Sequence, residues 1–241
     1  MTDLAIREPP RVLVPVAVLD GESISESLVR FLAPAEIVVL GYHTLPEQTP
    51  TEQASMQFEE RAQAATEDIA STFREAGRDV ETRVAFTHDR DQTVERVAAE
   101  VNATAILLPN PVGDVANVAV PIRGAVDENR LADLVATLVS ESAATVTLWG
   151  FGPQADADAR VAAVRKTLRE RGLPSEQIQT ETTEAEDPVR NIVERSADFD
   201  VIVMGAGDAG LLAPLFGDDS ERVAEGAVAP VLVVRKLDPS D

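Results

Sequence analysis

Three glycines near the end of the chain have the type and spacing expected of a binding loop. Gly205 and Gly207 follow the apolar run Val201–Met204, and nine residues separate Gly207 from Gly217. Glycine lets the backbone approach a ligand closely, so converging N–H groups in such a loop can hold phosphate. A short helix is predicted to begin at Asp218, and the positive end of its dipole favours an anion. This pattern predicts a phosphate-binding loop.

The start of the same helix also supports the opposite interpretation. Asp218 followed three residues later by Glu221 resembles a capping box, in which carboxylates occupy the free N–H groups of the first turn. Those carboxylates would compete with a phosphate and repel it. Arg123 could offset the repulsion by pairing with the phosphate, or it could form a salt bridge with Asp218 or Asp219. The residues are therefore compatible with a loop that binds phosphate and with a loop that does not.

The elements that must position this loop alternate along the chain. Helix-period and apolar patterns in the first half predict strands and helices in regular alternation. The predicted strands are Arg11–Val18, Glu36–Leu40, Val80–Phe86 and Ala105–Leu108, and the predicted helices are Ser23–Leu32, with Ser23 as its N-cap, Gln53–Ala76 and Gln92–Asn102. Such alternation indicates an α/β protein with a mainly parallel sheet.

The pattern then begins again, which indicates a duplication. Asn117–Ile122 repeats Arg11–Val16, and Pro121 and Pro15 occupy the matching positions. Only the second copy continues into the glycine loop and a last apolar run. We predict two doubly wound units, residues 1–114 and 115–241, with four strands in a truncated first unit and five in the second. The predicted strands of the second unit are Asn117–Ile122, Thr145–Gly150, Ile178–Thr182, Val201–Met204 and Val231–Val234.

Composition excludes several classes of protein. The chain has 42 acidic and 21 basic residues, a formal net charge of -21, and Lys166 and Lys236 are its only lysines. This balance is typical of a halophilic cytosolic protein, the alternative being an ordinary acidic one, and it disfavours nucleic-acid binding. Cysteine is absent, and neither a signal peptide nor an apolar run of about 20 residues is present. We expect a cytoplasmic protein without a membrane segment.

The second unit resembles the universal stress protein family. Gly207 and Gly217 keep the nine-residue gap of that family's nucleotide loop, Ser220–Val223 fits the helix that follows it, and Pro230–Arg235 fits the last strand. The resemblance implies Rossmann-like units of the adenine nucleotide alpha hydrolase type, and many members bind ATP or AMP. It also implies a cofactor-binding set composed of Arg123, Gly205, Gly207, Gly217, Asp218 and Ser220.

The sequence departs from the family pattern at three of these positions. One residue separates Gly205 from Gly207 where the pattern has two, and Asp218 stands where Ser or Thr meets phosphate. Arg123 stands where nucleotide-binding members carry an Asp at the end of strand one. We therefore expect a regulatory or protective protein without catalytic residues or a metal. An ATP- or AMP-binding sensor is the alternative, and a slow ATP hydrolase is the third possibility.

The two histidines offer a weaker candidate site. His88 is flanked by Asp89 and Asp91, a combination that suits a metal or acid–base site but also an ordinary surface loop. His43 follows the second predicted strand. Surface positions are the simpler interpretation of both.

The last apolar run predicts how the chain associates with partners. Val231–Val234 is expected near a sheet edge, and an unpaired edge invites a second strand. In proteins that resemble this one, two units meet at that strand, and the first unit has no equivalent. We therefore predict a homodimer through Val231–Val234 with a two-fold contact, together with a protein partner that the sequence does not identify.

Overall fold

A computed structural model describes residues 4–123, 127–206 and 226–236. These residues form one nine-stranded, mainly parallel sheet. The strands are β1 (Arg11–Ala17), β2 (Glu36–Thr44), β3 (Val80–Thr87), β4 (Ala105–Leu108), β5 (Asn117–Ile122), β6 (Thr145–Phe151), β7 (Ile178–Thr183), β8 (Val201–Gly205) and β9 (Val231–Val234). The α-helices within these ranges are α1 (Glu26–Leu32), α2 (Thr51–Glu75), α3 (Arg90–Glu100), α4 (Glu128–Val139), α5 (Gln154–Glu170) and α6 (Pro188–Glu194). The predicted α/β class is confirmed.

The two halves of the sheet have the same strand topology. The sheet runs β3-β2-β1-β4-β9-β8-β5-β6-β7, so each half places its strands in the same order from its outer edge inward. Pairing is parallel within each half, whereas β4 and β9 are antiparallel. The two halves therefore run in opposite directions and are joined by β9 at the centre.

The position of β9 corrects one prediction. Val231–Val234 was expected near an edge, but each of its residues is buried, and it pairs with β4 on one side and β8 on the other. The physical reason is that the first half has no fifth strand, so the open side of β4 is available to β9 of the same chain. A dimer contact through the β9 backbone is therefore not available, and dimerisation through any other surface stays a prediction.

Side chains on both sides of β9 hold it in this central position. The Asn110 amide, just after β4, donates to the carbonyl oxygens of Ala227 and Ala229 at 3.3 and 3.2 Å. After β9, Arg235 donates to the Ala98 carbonyl oxygen at 3.1 Å and pairs with Glu95 at 2.9 Å. The segment that closes the sheet is thus attached to α3 and β4 of the first half.

A glycine in the second strand of each half lets the long helix pack closely. A Cβ atom on Gly41 would lie 1.9 Å from Oγ1 of Thr66 in α2, and one on Gly150 would lie 2.7 Å from Cγ2 of Val161 in α5. Real Cβ atoms do not approach other atoms so closely, so both positions require glycine or a shift of the helix. The same packing solution occurs twice.

Two helix starts differ from the predicted ones because a different side chain caps them. Helix α1 begins at Glu26 with Ser25 as its N-cap, and not with Ser23, because Ser25 Oγ accepts from the Leu28 N–H at 3.4 Å. Helix α3 begins at Arg90, before the predicted Gln92, because the Asp89 carboxylate accepts from the Gln92 N–H at 3.0 Å. Among the described residues, no helix is long and apolar enough to cross a membrane.

Candidate functional site

Two of the predicted cofactor-binding residues lie at one edge of the sheet. β5 and β8 pair in parallel, so Arg123, directly after β5, and Gly205, the last residue of β8, come to the same edge. The chain connections diverge between these two strands, which makes this a topological switch point where doubly wound sheets bind ligands. Arg123 is exposed there. The other predicted residues, Gly207, Gly217, Asp218 and Ser220, lie outside the described residues.

The neighbouring strand ends, those of β6 and β7, are filled by an aromatic and charged cluster. The Trp149 indole N–H donates to Thr183 Oγ1 at 2.9 Å, and the Arg195 guanidinium lies 4.4 Å from the centre of the Trp149 ring. Arg195 also donates to Glu181 at 2.5 Å and to Asp198 at 3.3 Å. The hydrogen bond to Glu181 raises the pKa of Arg195, and burial opposes it. These contacts join β6, β7 and the end of α6 beside the switch point.

The matching end of β1 in the first half is closed by the chain itself. The Ala17 N–H, at the last residue of β1, donates to Oε2 of Glu22 at 2.6 Å. The turn between them is made by the Asp20 N–H, which donates to the Ala17 carbonyl oxygen at 3.0 Å, and by Gly21 with a φ of 79°. The last backbone N–H of β1 is therefore already bound to a carboxylate.

Side chains from β2 and α3 complete this first-half cluster. His43 Nδ1 lies 4.0 Å from Asp20 Oδ1, and its ring packs edge-on against Phe58. On the other face of β2, the Arg90 guanidinium lies 5.8 Å from the centre of the Tyr42 ring. Burial raises the pKa of the Tyr42 phenol; the Arg90 cation lowers that pKa, and the Glu22 and Asp20 carboxylates raise it. The cluster therefore has an electrostatic signature that a titration can measure.

Tyr42 is the only tyrosine in the chain, so phenolate absorbance reports this cluster alone. We expect the Tyr42 phenol to ionise above pH 10 in the native protein, and near pH 10 after denaturation. Arg90→Gln should raise the midpoint further, and Glu22→Gln should lower it. Because the folded pKa is the higher one, the stability that Tyr42 contributes is complete below pH 10 and falls as the pH rises through the folded pKa.

Opposite shifts in the two variants are the critical result of this titration. If Arg90→Gln and Glu22→Gln moved the native midpoint in the same direction, the arrangement of charges around Tyr42 would be wrong. Ser71→Ala on α2 serves as a control, because Ser71 makes its hydrogen bond to the Asp68 carbonyl oxygen of its own helix.

His88 and Asp89 both contact backbone groups of neighbouring segments. His88 Nδ1 lies 3.2 Å from the Leu45 carbonyl oxygen, and Asp89 caps α3. Within the ranges that the structure describes, no three His, Cys, Asp or Glu side chains come together in a group that could hold a metal ion. The geometry therefore favours a loop that connects β3 to α3 over a centre for acid–base chemistry.

Comparison with known proteins gives a family match in the second half of the chain. Residues 125–235 match the Universal stress protein family. The match lies within the second half and spans β6 to β9, whereas β5 and Arg123 precede it. It covers slightly less than half of the chain. A search of curated proteins found no match.

Solved structures extend the likeness to almost the whole chain. A universal stress protein from Archaeoglobus fulgidus is 14% identical, with a TM-score of 0.62 over 95% of this chain and 99% of that one. A putative universal stress protein from Pseudomonas aeruginosa is 17% identical, with a TM-score of 0.52 over 96% and 94%. The cytoplasmic domain of a prokaryotic cation chloride cotransporter is 14% identical, with a TM-score of 0.50 over 94% and 95%. At these identities, the likeness shows the fold alone.

Sequence reasoning found the residues at the β5–β8 strand ends and missed the cluster at the end of β1. It identified Arg123 and Gly205, which the structure places at one edge of the sheet. It missed Glu22 and Arg90, whose contacts with Ala17 and Tyr42 depend on how two loops fold back. The only sequence signal for Glu22 was a carboxylate close after the first strand, and that signal is too common to be informative.

Proposed function

We propose that this chain is a tandem universal stress protein with a non-catalytic role, in which the second unit carries the binding function and acts on a protein partner. The main observation behind this proposal is the hydrogen bond from the Ala17 N–H to Glu22, which occupies the end of strand β1 in the first unit. The first unit then serves as a platform, attached to the second through β9. The second unit differs, because an exposed cation, Arg123, follows its matching strand β5 directly.

A nucleotide-binding sensor is the second candidate. It is supported by Arg123 and Gly205 at one switch point and by the Gly207-to-Gly217 spacing in the sequence. A guanidinium suits phosphate, whereas the missing Asp at that position removes the usual partner of the nucleoside end. Any adenine nucleotide, ATP or AMP, would bind to the second unit. Catalysis of ATP hydrolysis stays the third candidate.

Calorimetric titration with ATP and with AMP separates these candidates. The titration is made in about 2 M KCl, so that screening reduces non-specific repulsion between nucleotide and protein. For the interaction protein we expect no saturable heat at millimolar nucleotide, which corresponds to binding weaker than about -4 kcal/mol. Saturable binding that Arg123→Ala and Gly207→Asp both abolish would instead establish the sensor.

A control variant identifies the unit that responds. Glu22→Gln changes only the first-unit strand end, so it should leave any nucleotide heat unchanged. A loss of binding in Glu22→Gln would place the nucleotide in the first unit and overturn the proposal. Phosphate release that survives both Arg123→Ala and Gly217→Asp would come from a contaminating ATPase.

A further inference from the structure

A groove runs along the outer edge of the second half, away from the switch point. It encloses about 370 Å³ between helix α5 and the edge strand β7. We call it the α5–β7 groove, and it is lined by Asp158, Val161, Ala162, Arg165, Lys166, Arg169, Thr180, Glu181 and Thr182. Nothing in the proposed chemistry of the switch point uses these residues.

The charge of this groove contrasts with that of the protein. Arg165, Lys166 and Arg169 all line it, although the chain has twice as many acidic as basic residues. Within the described ranges, Arg165 and Arg169 have no carboxylate partner, and Lys166 has only a long 3.7 Å contact with Glu170. In a chain with so many carboxylates, exposed guanidinium groups without a partner indicate a surface suited to an external anion.

The duplicated first half provides an internal comparison. Helices α2 and α5 end in the similar sequences Phe73–Gly77 and Leu168–Gly172, so Arg74 occupies the position of Arg169. Arg74 pairs with Glu67 of its own helix. By the same alignment, Ala70 and Ser71 stand where the second half has Arg165 and Lys166. The cationic side is therefore particular to the second half and is not required for packing a long helix on this sheet.

The other wall of the groove is an open sheet edge. β7 pairs with β6 and is the last strand in the sheet order, so among the described residues its outer backbone groups have no strand partner. Thr180 and Thr182 face the groove, while the Glu181 carboxylate is held by Arg195. An edge strand with small hydroxyl side chains can accept an added strand through main-chain hydrogen bonds.

The length of the groove fits an extended peptide. Asp158 and Arg169 lie about 16 Å apart along the helix at a rise of about 1.5 Å per residue. About five residues of an extended strand cover that distance at about 3.3 Å each. Because the three cations lie near the carboxyl end of α5 and Asp158 lies toward its start, acidic side chains are favoured at one end of the added segment.

We propose that the α5–β7 groove binds an extended acidic segment of a protein partner, which adds to β7 as a further strand. This inference rests on the proposed function, because it assigns a surface and a partner chemistry to a protein that acts by interaction. Main-chain hydrogen bonds to β7 supply the attachment, and the Arg165, Lys166 and Arg169 cations select the acidic side chains.

Two other occupants fit the groove less well. A second copy of this chain added through its own β7 would offer the three cations the uncharged Thr180 and Thr182, and its Glu181 carboxylate is already held by Arg195. A nucleic acid would gain little, because none of the described residues that line the groove is aromatic and able to stack on a base. The unpaired arginines and the open edge therefore favour an acidic peptide.

The test uses the full-length protein and a labelled synthetic peptide in which glutamate and valine alternate. We expect saturable binding by fluorescence anisotropy and slower hydrogen exchange of the β7 amides when the peptide is bound. Arg165→Gln together with Arg169→Gln should weaken binding about tenfold or more, because two charge-assisted contacts are lost. Arg74→Gln, the matched change on α2, should leave the affinity unchanged.

Two reference ligands make the result decisive. A peptide of the same charge with prolines in place of the valines cannot form a strand and should bind at least about tenfold more weakly. Equal binding of both peptides, or displacement by inorganic tripolyphosphate without protection of β7, would reduce the groove to a simple anion site and overturn the inference. An equal effect of Arg74→Gln, or no peptide binding at all, would also overturn it.

These results are independent of those from the nucleotide titration. ATP binding or turnover at the β5–β8 switch point would overturn the proposed function while leaving peptide binding intact, and a failure of peptide binding would leave the calorimetric result unchanged.

Discussion

Replacement of Leu232 by aspartate is expected to unfold the whole chain. Leu232 is fully buried in β9, where it stands opposite Leu107 of β4 and Val203 of β8. Loss of a buried leucine side chain alone costs about 2–5 kcal/mol, and an unpaired carboxylate in the core adds to this cost. A domain of ordinary stability has about 5–15 kcal/mol in total. The combined loss is therefore comparable with the whole stability.

The milder change Leu232→Ala tests whether β9 makes the two halves cooperative. We expect a loss of about 2–5 kcal/mol in urea unfolding. The chain has one tryptophan, Trp149 in β6, and one tyrosine, Tyr42 in β2, so each half has its own spectroscopic probe. Both probes should report the same midpoint in the parent and in Leu232→Ala, because removing contacts at the joint weakens both halves.

A matched exposed position controls for the effect of charge. Val228 lies just before β9 and is 65% exposed, so Val228→Asp should change the free energy of unfolding by less than about 0.5 kcal/mol. Native-like stability of Leu232→Asp, or a loss seen by Trp149 fluorescence but not by Tyr42 absorbance, would contradict the central position of β9.

The second large effect is expected at a buried ion pair in the second half. Arg171, just after α5, donates through Nε to Asp133 of α4, and the two side chains are only 5% and 6% exposed. Arg171 also donates to Asn129 Oδ1 at 2.9 Å, and the Arg7 N–H donates to Asp133 Oδ1 at 3.4 Å. The pair therefore connects α4, the end of α5 and the segment before β1.

Removal of one partner should destabilise the protein more than removal of both. Asp133→Ala or Arg171→Ala leaves one charge buried without its partner, and such changes cost about 3–5 kcal/mol. The apolar double variant Asp133→Leu with Arg171→Met should recover most of that loss, because neither charge remains to be desolvated. Urea unfolding followed by Trp149 fluorescence measures all three variants.

An exposed ion pair provides the comparison. Arg96 and Glu100 pair on the surface of α3 at 2.7 Å, and Arg96→Ala should cost less than about 1 kcal/mol. The prediction would be wrong if the double variant were as unstable as the single ones, since the loss would then come from packing and not from an isolated charge. Faster exchange of the Ala5 amide, which donates to the Arg171 carbonyl oxygen at 3.2 Å, is expected in the single variants.

The strands illustrate how much of the fold local patterns predict. The apolar runs Ala105–Leu108, Asn117–Ile122 and Val231–Val234 are strands with the predicted bounds. Apart from the exposed Asn117, these residues are apolar and buried, as expected for strands covered on both faces of a parallel sheet. Helix starts were less accurate, because Ser23 and Ser25 are equally good caps in sequence and only the contact with Leu28 distinguishes them.

For the candidate site, too, the sequence predicted some features and only the tertiary structure showed the others. Arg123 and Gly205 directly follow apolar runs, and residues at the carboxyl ends of neighbouring parallel strands must meet at one edge of the sheet. The cations of α5 were already visible in the sequence as Arg165, Lys166 and Arg169. Their significance appears only beside an edge strand and in contrast with the paired Arg74 of α2.

By itself, the sequence determined the α/β class, the positions of the strands and the residues that follow them, because these depend on contacts between near neighbours in the chain. Only the tertiary structure decided that Val231–Val234 lies at the centre of the sheet and that Glu22 closes the end of β1. A buried apolar strand has the same sequence pattern whether it pairs within its own unit, with the other unit or with another molecule. The choice depends on which strand edge is left open elsewhere, here that of β4.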